Sequence, residues 1–130
     1  MATIKQFEDL EIWQLSRELC DTIYNIITTT PLVKSYKLRD QIDASSGSVM
    51  DNIAEGFERG GNKEFRQFLS IAKGSCGETR SQLYRVLDRE YISQEKFEKT
   101  KQTTIILSKK ISSFISYLNK SDYGGIKFKK

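Results

Sequence analysis

The sequence predicts an all-α protein, an antiparallel up-down-up-down four-helix bundle. Apolar residues recur at alternating spacings of three and four along four segments, strand-type alternation is scarce, and Pro31 is the one proline in 130 residues. The breaks between these segments are short, so consecutive helices should run antiparallel. We expect residues 1–130 to form one domain, because a chain of this length can bury a core by itself.

The first helix is predicted over residues 10–28. Asp9 stands at the N-cap position, and the β-branched run 28–30 followed by Pro31 should end the helix. Its apolar stripe comprises Trp13, Ser16, Cys20, Ile23 and Ile27, widened by Leu19, Tyr24 and Ile26.

The second helix is predicted over residues 36–58, with Ser35 as its N-cap and Gly60-Gly61 after its end. Segment 44–48, Ala-Ser-Ser-Gly-Ser, is rich in poor helix formers, so packing must hold it helical. The large apolar positions of this helix are Leu38, Ile42, Val49 and Ile53.

The third helix is predicted over residues 63–90, capped by Asn62. Gly74 and Gly77 lie within it, although a mid-helix glycine costs roughly 0.5–1 kcal/mol relative to alanine. These glycines therefore predict a close approach of another helix, with segment 44–48 as the natural partner. Two series with a spacing of seven residues mark the buried side. The first comprises Phe65, Ala72, Thr79 and Val86, and the second comprises Leu69, Cys76 and Leu83.

The fourth helix is predicted over residues 94–119, capped by Ser93, and a short basic tail follows over residues 121–130. Its three-four pattern is that of a bundle seam. The seam residues are Phe97, Thr100, Thr104, Leu107, Ile111, Phe114 and Leu118.

Composition excludes several classes of function. The chain has no histidine, which rules out Ser-His and Cys-His nucleophiles and removes the commonest transition-metal ligand. With no convergent carboxylates and no phosphate loop, we predict no enzyme activity, no cofactor and no metal site. There is no signal-type N-terminus and no apolar run of membrane-spanning length, so we expect a cytoplasmic protein. Cys20 and Cys76 are interpreted as buried free thiols rather than as a disulfide or metal pair.

Charge is distributed unequally along the chain. Residues 1–61 carry a net −4 (6 basic, 10 acidic) and residues 62–130 a net +8 (15 basic, 7 acidic), giving the overall +4. A seven-residue spacing places three cations in one stripe of helix three, without acidic neighbours one turn away. This stripe is either a solvated face or a phosphate-binding face, with Tyr84 beside it as a candidate for base stacking. The candidate nucleic-acid-binding residues are Arg66, Lys73, Arg80, Arg85, Arg89, Lys109 and Lys110.

Two sequence segments carry a family resemblance, Asn52-Ile53-Ala54-Glu55-Gly56 and Ile71-Ala72-Lys73-Gly74-Ser75. With Phe7-Glu8-Asp9-Leu10 and Lys63-Glu64-Phe65, they make the chain resemble the bacterial 23S ribosomal RNA intervening-sequence family over roughly residues 7–118. It is more distantly similar to the accessory variability proteins of retroelements. The resemblance implies a four-helix bundle assembled into a homopentamer, without catalytic activity. It also implies RNA or DNA as a partner and, for the accessory proteins, a reverse transcriptase.

Some features leave alternatives open. The family usually has two basic residues where this chain has Asp43 and Ala44, so the resemblance implies no phosphate contact from that pair. Asn52 and Glu55 are either ligands or residues that satisfy helix-end and cross-helix hydrogen bonds, and we interpret the motif residues Asn52, Glu55, Gly56, Gly74 and Ser75 as structural. The function is therefore predicted as a non-catalytic nucleic-acid-binding bundle, or alternatively as a protein-interaction scaffold.

Overall fold

Four long helices account for most of the described chain. The structure is a computed structural model that describes residues 3–121. Within that range lie α1 (Glu11–Thr29), α2 (Tyr36–Glu58), α3 (Asn62–Asp88) and α4 (Gln94–Lys120), two short 3-10 helices at Phe7–Asp9 and Pro31–Lys34, and no strand. The predicted all-α class is therefore confirmed. All but the first residue of the predicted basic tail, 121–130, falls outside the described residues.

Cross-helix contacts show the antiparallel arrangement. Between α2 and α3, partner numbers fall on one helix as they rise on the other, from Ser48–Ser75 through Ser45–Gln82 to Ser35–Arg89. Between α3 and α4 the same is true from Arg66–Asn119 to Cys76–Thr104. Helix α1 packs against both α2 and α4, so the four helices surround one core.

The predicted apolar stripes form most of the core. Every large apolar position predicted for α2 and α3 is buried, and so is the α4 seam except for half-buried Phe114. The prediction is less accurate for α1. Its buried residues are Ile12, Ser16, Leu19, Ile23, Ile26 and Ile27, all of them predicted except Ile12. Tyr24, which was expected to widen the stripe, is 63% exposed, and Trp13 and Cys20 are half-buried. The buried face of α1 is therefore rotated slightly about the helix axis relative to the predicted stripe.

Two of the four predicted residues, Ser35 and Ser93, occupy the N-cap position, and of the four only Ser93 caps its helix with its side chain. Ser93 Oγ accepts a hydrogen bond from the Lys96 amide, as predicted. Asp9 instead accepts from the backbone amides of residues 5 and 6 and closes the 3-10 helix before α1. Ser35 precedes α2 but makes no cap bond, since its hydroxyl accepts from Arg89. Asn62 is the first residue of α3 and is buried, where its side-chain amide donates to the Leu118 carbonyl.

Left-handed backbone conformations end two helices. Gly60 has φ 84° directly after the end of α2, in agreement with the predicted role of the glycine pair. Glu90 has φ 62°, and the amides of Glu90 and Tyr91 bond back to the carbonyls of Leu87 and Val86. This arrangement ends α3 at Asp88, so the predicted helix end at Glu90 was two residues too late.

The glycines show where two helices come closest. A Cβ added to Gly56 would lie 2.7 Å from Phe68 Cβ and 2.9 Å from a Phe65 ring carbon, so α2 and α3 approach each other closely near their shared turn. A Cβ at Gly74 or Gly77 would meet nothing within 4 Å. The prediction that this pair marks a close approach within the chain is therefore wrong, because both glycines lie away from α2.

Candidate nucleic-acid interface

Five residues of α3 and α4 form a basic surface, which we call the α3–α4 face: Arg66, Lys73, Arg80, Tyr84 and Lys101. At one end, Arg66 donates to Asn119 Oδ1 of α4 at 2.6 Å and to Asn62 Oδ1 at 2.8 Å. At the other end, Tyr84 contacts Lys101 and Phe97 of α4. Lys73 and Arg80 follow Arg66 at intervals of seven residues, so they lie on the same side of α3.

Lys73 and Arg80 carry the least neutralised charge on this face. Lys73 is exposed and Arg80 is half-buried, and among residues 3–121 neither forms an ion pair. Lys101 lies 4.0 Å from Glu98 of its own helix, a distance at which the attraction between partly exposed charges is weak. Positive charge is therefore spread along the face, and the Glu98 carboxylate lies near Lys101 at its edge.

Tyr84 places an aromatic ring at the end of the cationic stripe. Its ring packs edge-on against Phe97, with centroids 4.8 Å apart, and Lys101 Nζ lies 5.7 Å from its centroid. The side chain is still 43% exposed. An exposed ring beside cations is the arrangement on which an unpaired base can stack.

The interior beneath the face is closed to solvent at Cys76. Cys76 is fully buried under the stripe, and its thiol donates to the Thr104 carbonyl of α4 at 3.3 Å. Burial raises the pKa of this thiol from 9.0 to about 11, although the nearby charges of Arg80 and Lys73 act in the opposite direction. Desolvation therefore outweighs two cations, and the thiol stays protonated at neutral pH.

The other predicted cations lie elsewhere on the bundle. Arg85 and Arg89 extend from α3 towards α2, where they donate to Gln41 Oε1 at 3.1 Å and Ser35 Oγ at 2.7 Å. Lys110 faces α1 and lies 3.4 Å from the Glu11 carboxylate, while its neighbour Lys109 is exposed. The sequence-predicted set is thus divided between three surfaces rather than joined in one.

Hydroxyl and amide side chains join α2 to α3, and we call Ser45, Ser48, Ser75, Thr79 and Gln82 the α2–α3 seam. Ser45 Oγ donates to Gln82 Oε1 at 2.6 Å and lies 2.8 Å from Thr79 Oγ1. Ser75 donates to Ser48 Oγ at 2.9 Å. Segment 44–48 therefore packs against α3 as predicted, through its serines. The sequence contained no signal for these particular pairs.

The two motif segments of the sequence meet at this seam. Asn52 donates to both the carbonyl and the hydroxyl of Ser48, and the same hydroxyl accepts from Ser75. Glu55 lies 2.9 Å from Arg59 one turn later. Together with the close approach at Gly56, these contacts give the motif residues structural roles. Gly74 is the exception, since it is exposed and has no contact that requires a glycine.

A second surface lies on the opposite side, between α1 and α2. Here a groove of about 690 Å³ is lined by Trp13, Arg17, Cys20, Tyr24 and Met50 among others. Burial raises the pKa of the Cys20 thiol, and the charges of Asp51 and then Asp43 raise it further, so the groove lies in an acidic field. Asp43 therefore contributes to this acidic side.

Residues 3–121 contain no group of three or more histidine, cysteine, aspartate or glutamate side chains placed to hold a metal ion. Both cysteines are free, which agrees with the predicted thiols, although Cys20 is only half-buried. None of the described helices combines the length and apolar content needed to cross a bilayer.

Comparison with known proteins identifies the family. Residues 8–113 match the family described as 23S rRNA-intervening sequence protein. A crystal structure of a protein of unknown function from the S23 ribosomal protein family of Bacteroides thetaiotaomicron is similar at a TM-score of 0.73 and 27% identity, over 81% of this chain and 95% of that chain. No functionally curated protein matches significantly. The match over most of the chain shows that it belongs to the 23S rRNA-intervening sequence protein family.

Proposed function

We propose that the protein is a non-catalytic helical bundle that binds RNA or DNA through its α3–α4 face. The observation that supports this proposal most concerns Lys73 and Arg80. Lys73 is exposed and Arg80 is half-buried, and neither forms an ion pair among the described residues. A phosphate that meets such a cation releases condensed counterions, which is the main source of affinity for nucleic acids. The family's association with 23S rRNA, as its description states, favours RNA as the ligand.

The geometry also favours one kind of nucleic acid. Arg66 and Arg80 are 14 residues apart, so the stripe is about 21 Å long at 1.5 Å per residue. This length corresponds to several phosphates of one strand. Tyr84, at one end of the stripe, offers a stacking surface that requires a base not enclosed in a duplex. We therefore expect RNA with an unpaired stretch beside a helix to bind better than a fully paired duplex.

The test compares two double charge reversals on the same helix. Lys73→Glu/Arg80→Glu changes the α3–α4 face, and Arg85→Glu/Arg89→Glu makes the same change in net charge on the side of α2. Binding of a structured RNA is measured by fluorescence anisotropy at several salt concentrations. For the first variant we expect an affinity loss of at least about tenfold, with a salt slope smaller by about 2.

The matched variant distinguishes a site from net charge alone. We expect Arg85→Glu/Arg89→Glu to keep most of the affinity, since these arginines donate to Gln41 and Ser35 on another surface. Equal losses in the two variants would mean that no particular face is used. Absence of RNA binding by the wild-type protein at low salt would reject the proposal. Circular dichroism establishes that both variants keep their helices.

Self-association is part of this proposal, because the family resemblance implies a homopentamer. Several copies would multiply a modest local field and increase the avidity for a long nucleic acid. Light scattering of the purified protein measures the subunit number directly. If the protein is a monomer at micromolar concentration, self-association is rejected. Nucleic acid would then bind to the basic face of a single bundle.

A protein-interaction scaffold is the second candidate, and the groove between α1 and α2 favours it. Trp13, Tyr24 and Met50 offer apolar contacts there, next to the carboxylates of Glu18 and Asp21. A reverse transcriptase is one such partner if the similarity to retroelement accessory proteins, which stays a prediction, extends to function. Capture of a partner after nuclease treatment, abolished by Tyr24→Ser but not by Lys73→Glu/Arg80→Glu, would favour the scaffold.

A further inference from the structure

The groove between α1 and α2 contains two aromatic rings. Trp13 and Tyr24 of α1 line it together with half-buried Met50 of α2. The Trp13 ring packs against Phe7, whereas Tyr24 is 63% exposed. These two rings are eleven residues apart on α1, a distance of about 16 Å along the helix axis. A peptide of about five extended residues has the same length.

Carboxylates stand on both walls of this groove. Glu18 and Asp21 line it from α1. On α2, the charges of Asp51 and Asp43 add to the effect of burial in raising the pKa of the Cys20 thiol, which places both carboxylates near the groove. All four acidic side chains are exposed, and none forms an ion pair among the described residues. The groove therefore has negative charge that the described part of the chain does not neutralise by direct pairing.

The position of Arg17 shows what chemistry these rings accept. Its Cζ atom lies 5.9 Å from the centroid of the Trp13 ring, and Arg17 is the one cation among the described residues that line the groove. A guanidinium group can stack on an aromatic face while its N–H groups donate to a carboxylate at its edge. Tyr24 comes one turn after Asp21 and has no cation over its ring among the described residues. A guanidinium from another molecule could take the equivalent position there.

We propose that the α1–α2 groove binds an extended, arginine-containing segment of a partner protein, with one guanidinium on the Tyr24 ring beside Asp21. Charge complementarity supports this occupant, because the carboxylates outnumber Arg17, attract cations and repel the phosphates of a nucleic acid. Arginine fits better than lysine, since only its planar group combines stacking with bidentate hydrogen bonding. The inference rests on the scaffold function proposed above, whose partner it defines by chemistry, and is independent of nucleic-acid binding by the α3–α4 face.

Fluorescence anisotropy of labelled peptides with the full-length protein tests the groove. The probe is a capped peptide of five residues in which arginine alternates with glycine, and two comparison peptides carry lysine or neutral citrulline in place of arginine. We expect the lysine peptide to bind at least about threefold more weakly and the citrulline peptide at least about tenfold more weakly. Equal binding of the arginine and lysine peptides would show attraction by net charge alone and would overturn the proposal. Absence of arginine-peptide binding at low salt would overturn it as well.

Two tyrosine variants test the stacking surface. Tyr24→Ser should weaken binding of the arginine peptide by about threefold or more, because the guanidinium loses its aromatic face. Tyr36→Ser is the matched control, since Tyr36 is also 63% exposed but lies at the start of α2. It should leave the affinity within about twofold. Equal effects of the two substitutions would place the peptide outside the groove and would overturn the proposal.

Two double substitutions test the carboxylates. Asp21→Asn/Asp51→Asn should weaken the arginine peptide by about fivefold or more. Glu78→Gln/Asp88→Asn makes the same change in net charge at exposed positions of α3 and should have an effect of no more than about twofold. Equal losses would show that no particular surface attracts the peptide and would overturn the proposal.

The outcomes also separate this inference from the functions proposed above. Lys73→Glu/Arg80→Glu should not weaken the arginine peptide, so failure of RNA binding and failure of peptide binding appear in different measurements. Capture of a partner that Tyr24→Ser abolishes, without any binding of the arginine peptide, would keep the scaffold function and reject the arginine segment. An affinity for the peptide that falls as protein concentration rises would show that a second copy fills the groove, which would overturn the proposal.

Discussion

Helix α3 presents two very different sides. Towards α2 it forms the α2–α3 seam, where hydroxyl and amide groups bond at 2.6–2.9 Å and Gly56 lets the backbones approach closely. On its other side it forms the α3–α4 face, where Lys73 and Arg80 have no ion pair among the described residues and Gly74 and Gly77 have free space around them. The same helix therefore serves stability on one side and offers charge to solvent on the other. Close packing requires a small residue only on the side that faces α2.

Gly56→Ala should have the largest effect, because it tests the closest approach at the α2–α3 seam. The new Cβ would lie 2.7 Å from Phe68 Cβ, an atom attached directly to the backbone, so the helices must move apart. We expect a loss of up to about 3 kcal/mol in the free energy of unfolding, as for other overpacked cores. Urea denaturation measures it. Gly47→Ala, on the same helix with nothing within 4 Å, is the control and should not destabilise the protein.

Alkaline pH tests whether solvent is excluded from the interior beneath the α3–α4 face. The pKa of Cys76 is about 11 in the folded protein, above its ordinary value of 9.0. The resulting stabilisation is fully present below pH 9 and is lost as pH rises through 11. The loss is roughly 2–3 kcal/mol, measured as the urea unfolding free energy of the wild type relative to Cys76→Ala.

A second cysteine variant controls for the other groups that titrate at high pH. Cys20→Ala keeps Cys76 and should retain the part of the alkaline loss that Cys76 causes, without the part that comes from the raised pKa of Cys20. An identical pH dependence in Cys76→Ala and the wild type would show that water reaches the thiol. In that case the α3–α4 side of the core would be more open to solvent than the burial of Cys76 indicates.

Ser45→Ala tests the hydrogen bonds of the α2–α3 seam. The change removes the donor to Gln82 Oε1, which is left unsatisfied, and one partner of Thr79 Oγ1, which still donates to the Ser75 carbonyl. We expect a loss of about 1–2 kcal/mol in thermal or urea unfolding. Ser46→Ala is the matched control, since Ser46 Oγ bonds only to carbonyls of its own helix. Similar losses for the two serines would remove the special role of the seam.

Gly74→Ala and Gly77→Ala should have the smallest effects, with the opposite sign. Each replaces a helical glycine whose added Cβ meets nothing within 4 Å, so each should stabilise the protein by roughly 0.5–1 kcal/mol. Differential scanning calorimetry on dilute protein measures the change. A destabilisation that appears only at high protein concentration would show that another copy approaches α3 at these glycines.

Periodicity predicted the fold because it reports which side of each helix is buried. The seven-residue series of α3 and the seam of α4 are within the core, apart from half-buried Phe114, since long amphipathic helices leave little freedom in rotation. Caps were less predictable. Asn62 resembles an N-cap in sequence, yet the carbonyl of Leu118, 56 residues away, determines its position. Local preference cannot contain information about such a distant partner.

The candidate site was predictable in part for the same reason. A spacing of seven correctly placed Arg66, Lys73 and Arg80 along one side of α3, because helical geometry alone determines that relation. It could not show that Arg85 and Arg89 lie on the side of α2, where Gln41 and Ser35 accept from them. Nor could it distinguish Gly56, which is enclosed, from Gly74, which is open. Those distinctions depend on how the helices are arranged around each other.

The short turn at Arg59–Gly61 has a consequence for the order of folding. Gly56 and Phe68, which come closest across it, are only twelve residues apart, so the loop closed by their meeting is short and its entropy cost is low. Because this loop closes at low entropy cost, we expect these contacts to form early in folding. During synthesis the pair α2–α3 is also complete before α4 leaves the ribosome. Helices α1 and α4 would then join a preformed hairpin from its two flanks.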